Sequence, residues 1–133
     1  MNPVSRRTLL GALAASAALA ALPQQAQASS TDVTETLLSF IDDRRSAATL
    51  GQIWIRADHP HASPAGVVSR LTATLQAEGW SGSKDPAELR LRFNEAVRAD
   101  YKNGETVAVE GWQIARTQAE LCALAYFATQ GIL

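Results

Sequence analysis

Asp85-Pro86-Ala87-Glu88-Leu89 opens, and Tyr101-Lys102-Asn103-Gly104 closes, the stretch that decides the fold class. Asp85 is a helix-capping residue, Pro86 suits the first helical position, and Glu88 stands where a capping-box carboxylate belongs. Leu89, Phe93, Ala96, Val97 and Tyr101 recur at helical spacing, and Asn103-Gly104 is a stop. The same grammar stands upstream, where Ser63-Pro64 precedes Val67, Val68, Leu71 and Leu75 and the pattern ends at Gly79. Between these two helices, Trp80-Ser81-Gly82-Ser83-Lys84 reads as a turn-rich connection. Asp58-His59-Pro60-His61-Ala62 cannot continue a helix, because proline lacks an amide donor and constrains the residue before it.

Further upstream a helix is expected from Asp32, capped by Thr31 or Asp32 with Glu35 completing the box, and with Val33, Leu37, Phe40 and Ile41 as its stripe. Asp42-Asp43-Arg44-Arg45 reads as a solvated face. The apolar pattern then resumes through Ala47, Ala48, Leu50, Gly51, Trp54 and Ile55, and Gly51 marks either a close helix contact or a break. Downstream, Thr106 to Val109 and Trp112 to Ile114 alternate as strands around Glu110-Gly111, which predicts a hairpin. Thr117-Gln118-Ala119-Glu120 reads as a capping box before a last helix with Leu121, Leu124, Ala125 and Ala128 inside and Cys122 and Phe127 beside that stripe. The expected fold is mainly α: a compact bundle of three or four helices, with a small β-hairpin before the last one.

Composition agrees with a folded domain, at 47% hydrophobic and 19% charged residues in a chain of 133. Arg6 and Arg7 lie in the first 28 residues, so residues 29–133 hold 10 basic against 13 acidic residues, a net charge of −3. A nucleic-acid partner is not expected from such a balance, since phosphate binding needs a basic face. With only one cysteine, Cys122, there is no intrachain disulfide, and packing must hold the domain.

Ser5-Arg6-Arg7-Thr8-Leu9-Leu10 precedes an uncharged run from Leu9 to Leu22, followed by Ala26-Gln27-Ala28 with small side chains at the cleavage positions. This segment resembles the twin-arginine (Tat) signal peptides, with Leu9 where phenylalanine is commoner and Gly11 where lysine is often found. The resemblance implies export to a bacterial periplasm by the Tat translocase and removal of residues 1–28 by signal peptidase, leaving 29–133 as one small helical domain. Ser5, Arg6, Arg7, Leu9, Leu10, Ala26 and Ala28 would carry those steps. As a helix the 14-residue run is about 21 Å long, short of the roughly 30 Å of a hydrocarbon core, so no permanent membrane span is expected.

Residues 29–133 present few chemical constellations. Asp58, His59 and His61 have metal-ligand side chains, but two imidazoles on a proline loop do not define a tetrahedral site, and the chain has only 2 His and 1 Cys. Cys122, flanked by Leu121 and Ala123, reads as a small buried hydrophobe rather than a nucleophile. Asp42 and Asp43 are adjacent and diverge by about 100° on a helix, which is unsuited to paired acid–base work. Without a phosphate loop, a haem motif or a nucleophile elbow, neither a cofactor nor catalysis is expected. Trp54 reads as core. Trp80 and Trp112, beside Gly79 and Gly111, read as partly exposed, giving a candidate interface of Trp80, Val107, Val109, Trp112 and Ile114.

In size, signal type, helical content and absence of cofactor motifs, the chain also resembles the small subunits of periplasmic sugar and gluconate dehydrogenase complexes. That resemblance implies a non-catalytic accessory subunit or escort of a large cofactor-bearing oxidoreductase subunit. The alternative is a free periplasmic module binding a ligand or metal through the tryptophans or the His59/His61 loop.

Overall fold

Three local signals set the element boundaries as expected. The structure, a computed structural model, describes residues 30–133. Its elements are α1 (Ser30–Ser39), α2 (Arg44–Asp58), α3 (Pro64–Ala77), α4 (Pro86–Asn103), β1 (Thr106–Val109), β2 (Trp112–Ala115) and α5 (Arg116–Thr129). Ser63 Oγ accepts from the Gly66 amide at 3.1 Å and Asp85 Oδ1 from the Ala87 amide at 3.0 Å, each beside a proline at the helix start. Gly104, at φ 72°, terminates α4 in the left-handed region that glycine enters without strain.

The fold is mainly α with a two-stranded hairpin before the last helix, and five helices are described rather than three or four. The additional helix comes from Asp43. Exposed, as expected of a solvated face, it also caps α2, its Oδ1 accepting from the Ser46 amide at 3.1 Å and its Oδ2 from the Ser46 hydroxyl at 2.6 Å. Those bonds hold its carboxyl below the usual carboxylate range. Near the start of α1, Asp32 lies in the first turn and is not its cap. Glu88 also departs from its expected role. It accepts from the Ser81 amide (3.1 Å) and hydroxyl (2.9 Å), which lowers its pKa and ties the α3–α4 connection to α4.

The core is built around α5, where Ala119, Ala123 and Leu124 are fully enclosed and Leu121, Ala125 and Phe127 nearly so. Val33, Leu37 and Leu38 of α1, Trp54 of α2, Val67, Leu71 and Leu75 of α3 and Leu89 and Phe93 of α4 join it in one cluster. Gly51 is a close-contact position, not a break: a Cβ there would overlap the Cys122 carbonyl of α5 and lie 2.7 Å from the Ala123 nitrogen. On α4 the buried stripe is Leu89, Phe93, Ala96 and Asp100, while Tyr101, expected inside, is half exposed. No helix among the described residues is long and apolar enough to cross a membrane.

Candidate functional site

The hairpin begins where α4 stops. Glu110 (φ 52°) and Gly111 (φ 81°) form its two-residue turn, and positive φ at both positions is the type I′ geometry that matches strand twist. The pairs Thr106↔Ala115, Val107↔Ile114, Ala108↔Gln113 and Val109↔Trp112 put Val107, Val109, Trp112 and Ile114 on one face. Val109 is buried and Val107 and Ile114 pack on the core, but Trp112 is 73% exposed. Its indole continues an apolar face past the edge of the protein.

The base of this hairpin is clamped between α4 and α5. Asp100 Oδ2 accepts from both the Thr117 amide (2.8 Å) and the Thr117 hydroxyl (2.6 Å), and all of these groups are buried. The Glu105 amide donates to the Asp100 carbonyl at 2.8 Å, and the Arg116 amide to the Glu105 carbonyl at 3.0 Å. Gln118 Oε1 accepts from Tyr101 OH and from the Ala115 amide, each at 3.1 Å. Thr117 is therefore not the N-cap of α5, which begins one residue earlier, and its hydroxyl donates to Asp100 instead of accepting from Glu120.

Glu120, expected to reach back as a capping carboxylate, points into the protein and is 3% exposed. Its Oε2 has no hydrogen-bond partner, and Oε1 lies 3.8 Å from Arg116 Nε, on a guanidinium that also pairs with Glu105 at 3.2 Å. Burial pushes its pKa up to about 7, against the opposing pull of Arg70 and Arg116, with Asp100 adding to the rise. Two buried carboxylates, Asp100 and Glu120, thus lie near the start of α5. The cue for Asp100 was its place eleven residues after Leu89, in line with Phe93 and Ala96, where an apolar residue belongs.

The other expected site residues are dispersed. Trp80 is buried, not partly exposed, because the backbone after Gly79 folds inward and the indole Nε1 finds the Ser83 carbonyl at 3.2 Å. Val109, offered as an interface residue, is likewise buried. Asp58, His59 and His61 are exposed, and the His59 ring lies against Trp54 with centroids 4.5 Å apart. Among the described residues no group of three or more His, Cys, Asp and Glu side chains could hold a metal ion. Burial raises the thiol pKa of half-buried Cys122 to about 11, so little thiolate is present near neutrality. Ser5, Arg6, Arg7, Leu9, Leu10, Ala26 and Ala28 lie outside the described residues.

These features define a small helical domain presenting one aromatic side chain on a fixed hairpin. Comparison with protein-family models, curated proteins and solved structures finds no match.

Proposed function

We propose that residues 29–133 form an exported, non-catalytic accessory subunit or escort, docking on a large cofactor-bearing oxidoreductase subunit in the periplasm. The observation that carries this reading is the exposure of Trp112 on a hairpin whose base is locked by buried hydrogen bonds. A large aromatic side chain held rigidly loses little entropy on burial, which is why tryptophans dominate binding hot spots. The overhanging face of Val107 and Ile114 continues the same apolar surface toward the core. Twin-arginine export, which carries folded cargo, fits a subunit that travels with a folded partner. The free binding-module reading has less support, because Trp54 and Trp80 serve the core and His59 is engaged by Trp54.

The test is native purification of the protein from its source, with and without Trp112→Ala. The wild type is expected to bring a large oxidoreductase subunit with it, and the variant to lose at least 2 kcal/mol of that association, about thirtyfold in Kd, while staying folded. Recovery of the wild type only as a free monomer would overturn the reading. The export step is checked separately: Arg6→Lys with Arg7→Lys is expected to leave uncleaved precursor in the cytoplasm.

A further inference from the structure

A groove of about 930 Å³ runs along the outer face of α3. Its floor is Ala65, Val68, Ser69, Thr72, Ala73 and Gln76, one helical face of small or short side chains on which a second helix can lie close. Leu38 of α1 forms one wall together with Thr34 and Glu35, Arg44 of α2 adds a second charged side chain, and Ile132 and Leu133, each at least half exposed, border it at the end of the chain. Thr31 also lines it. The described chain therefore begins at the rim of the groove.

The run that precedes this point matches the floor of the groove in side-chain size and in length. Leu9 to Leu22 contains only Leu, Ala, Gly and Ser. As a helix it is about 21 Å long, and the floor from Ala65 to Gln76 is about 17 Å. The seven residues from Pro23 to Ser29, which precede α1, reach up to about 23 Å when extended, enough to turn the run back along α3. A short flexible tether corresponds to a millimolar effective concentration, at which modest apolar contact is enough for binding.

We propose that in the uncleaved chain the Leu9–Leu22 run occupies this groove, so that the folded domain covers its own export segment until a receptor or partner draws it out. This rests on the export reading of residues 1–28 but not on the accessory-subunit reading: elastase and cross-linking test the groove contact, and the Arg6→Lys, Arg7→Lys variant tests export, so each can fail without the other.

The test uses the full-length chain. Elastase, which cuts beside alanine, is expected to cleave the run at least tenfold more slowly in the folded chain than in a peptide of residues 1–30. In a Cys122→Ala background, Leu13→Cys paired with Thr72→Cys is expected to form a disulfide within one chain, with a yield independent of dilution. Ser69→Trp, which fills the groove, is expected to abolish both effects. Equal elastase rates in chain and peptide would overturn the proposal. So would cross-links only between chains, which would make the occupant a second copy, or protection that survives Ser69→Trp in a variant with wild-type circular dichroism. Should Ser69→Trp fail to fold, the unsubstituted chain still decides through the elastase comparison.

Discussion

Gly51 sits inside α2, where glycine costs up to about 1 kcal/mol of helix propensity relative to alanine. It is retained there by packing: the backbone of α5 passes so close at Cys122 and Ala123 that a methyl group has no room. Gly51→Ala is expected to destabilise the domain by about 2 kcal/mol or more despite its better propensity, because overpacking outweighs the helix gain. Urea unfolding checks this, and an unchanged or higher midpoint would mean that α5 gives way. At Glu120 the balance is electrostatic. The folded state raises its pKa from an ordinary 4.5 to about 7, chiefly by burial, so between these values the native chain holds a proton that the unfolded chain releases. The stabilising contribution is complete below pH 4.5 and is lost as pH rises through about 7, a change of about 3 kcal/mol. Unfolding free energies at pH 5 and pH 8 should show that fall in the wild type and should lack it in Glu120→Gln.

At the scale of the element, what could be read in advance was whatever depends on neighbours within four residues. Ser63-Pro64 and Asp85-Pro86 cap their helices, Gly104 ends α4 and Glu110-Gly111 makes the hairpin turn, since each signal and its partner lie side by side in the chain. Asp43 carried a comparable local signal toward Ser46, but the charges around it masked the break. Glu88 and Thr117 departed from their expected roles because better partners arrive from Ser81, seven residues away, and Asp100, seventeen away. Trp112 was legible as a hairpin residue after Gly111. The same cue beside Gly79 misplaced Trp80, whose environment depends on the path of the connection as a whole. The start of α5 consequently depends on another helix. Asp100→Ala strands two buried donors, the Thr117 amide and hydroxyl, and is expected to cost about 2–4 kcal/mol, whereas Thr117→Val removes only one and is expected to cost about 1 kcal/mol. Chemical denaturation of both variants orders them, and the reverse order would refute the Asp100 clamp.

For the whole molecule, the position of α5 governs cooperativity. Helices α1 to α4 contribute to one cluster around α5, so none of them has a separate core to retain once α5 is displaced. A domain of this size without a disulfide is then expected to unfold in one step, since partial opening exposes the shared apolar surface without releasing an independent unit. The tryptophans provide a direct check: Trp54 in α2 and Trp80 between α3 and α4 are buried, so their fluorescence reports tertiary packing while far-ultraviolet circular dichroism reports helix. The two melting curves should coincide, and reducing agent should not move them. Leu124→Ala, which empties an enclosed site on α5, is expected to cost about 2–5 kcal/mol and to lower Tm by roughly 4–8 °C per kcal/mol with the transitions still superimposed. Helical signal that outlasts the fluorescence change in that variant would show that part of the bundle stands without α5, and would contradict the single-core account.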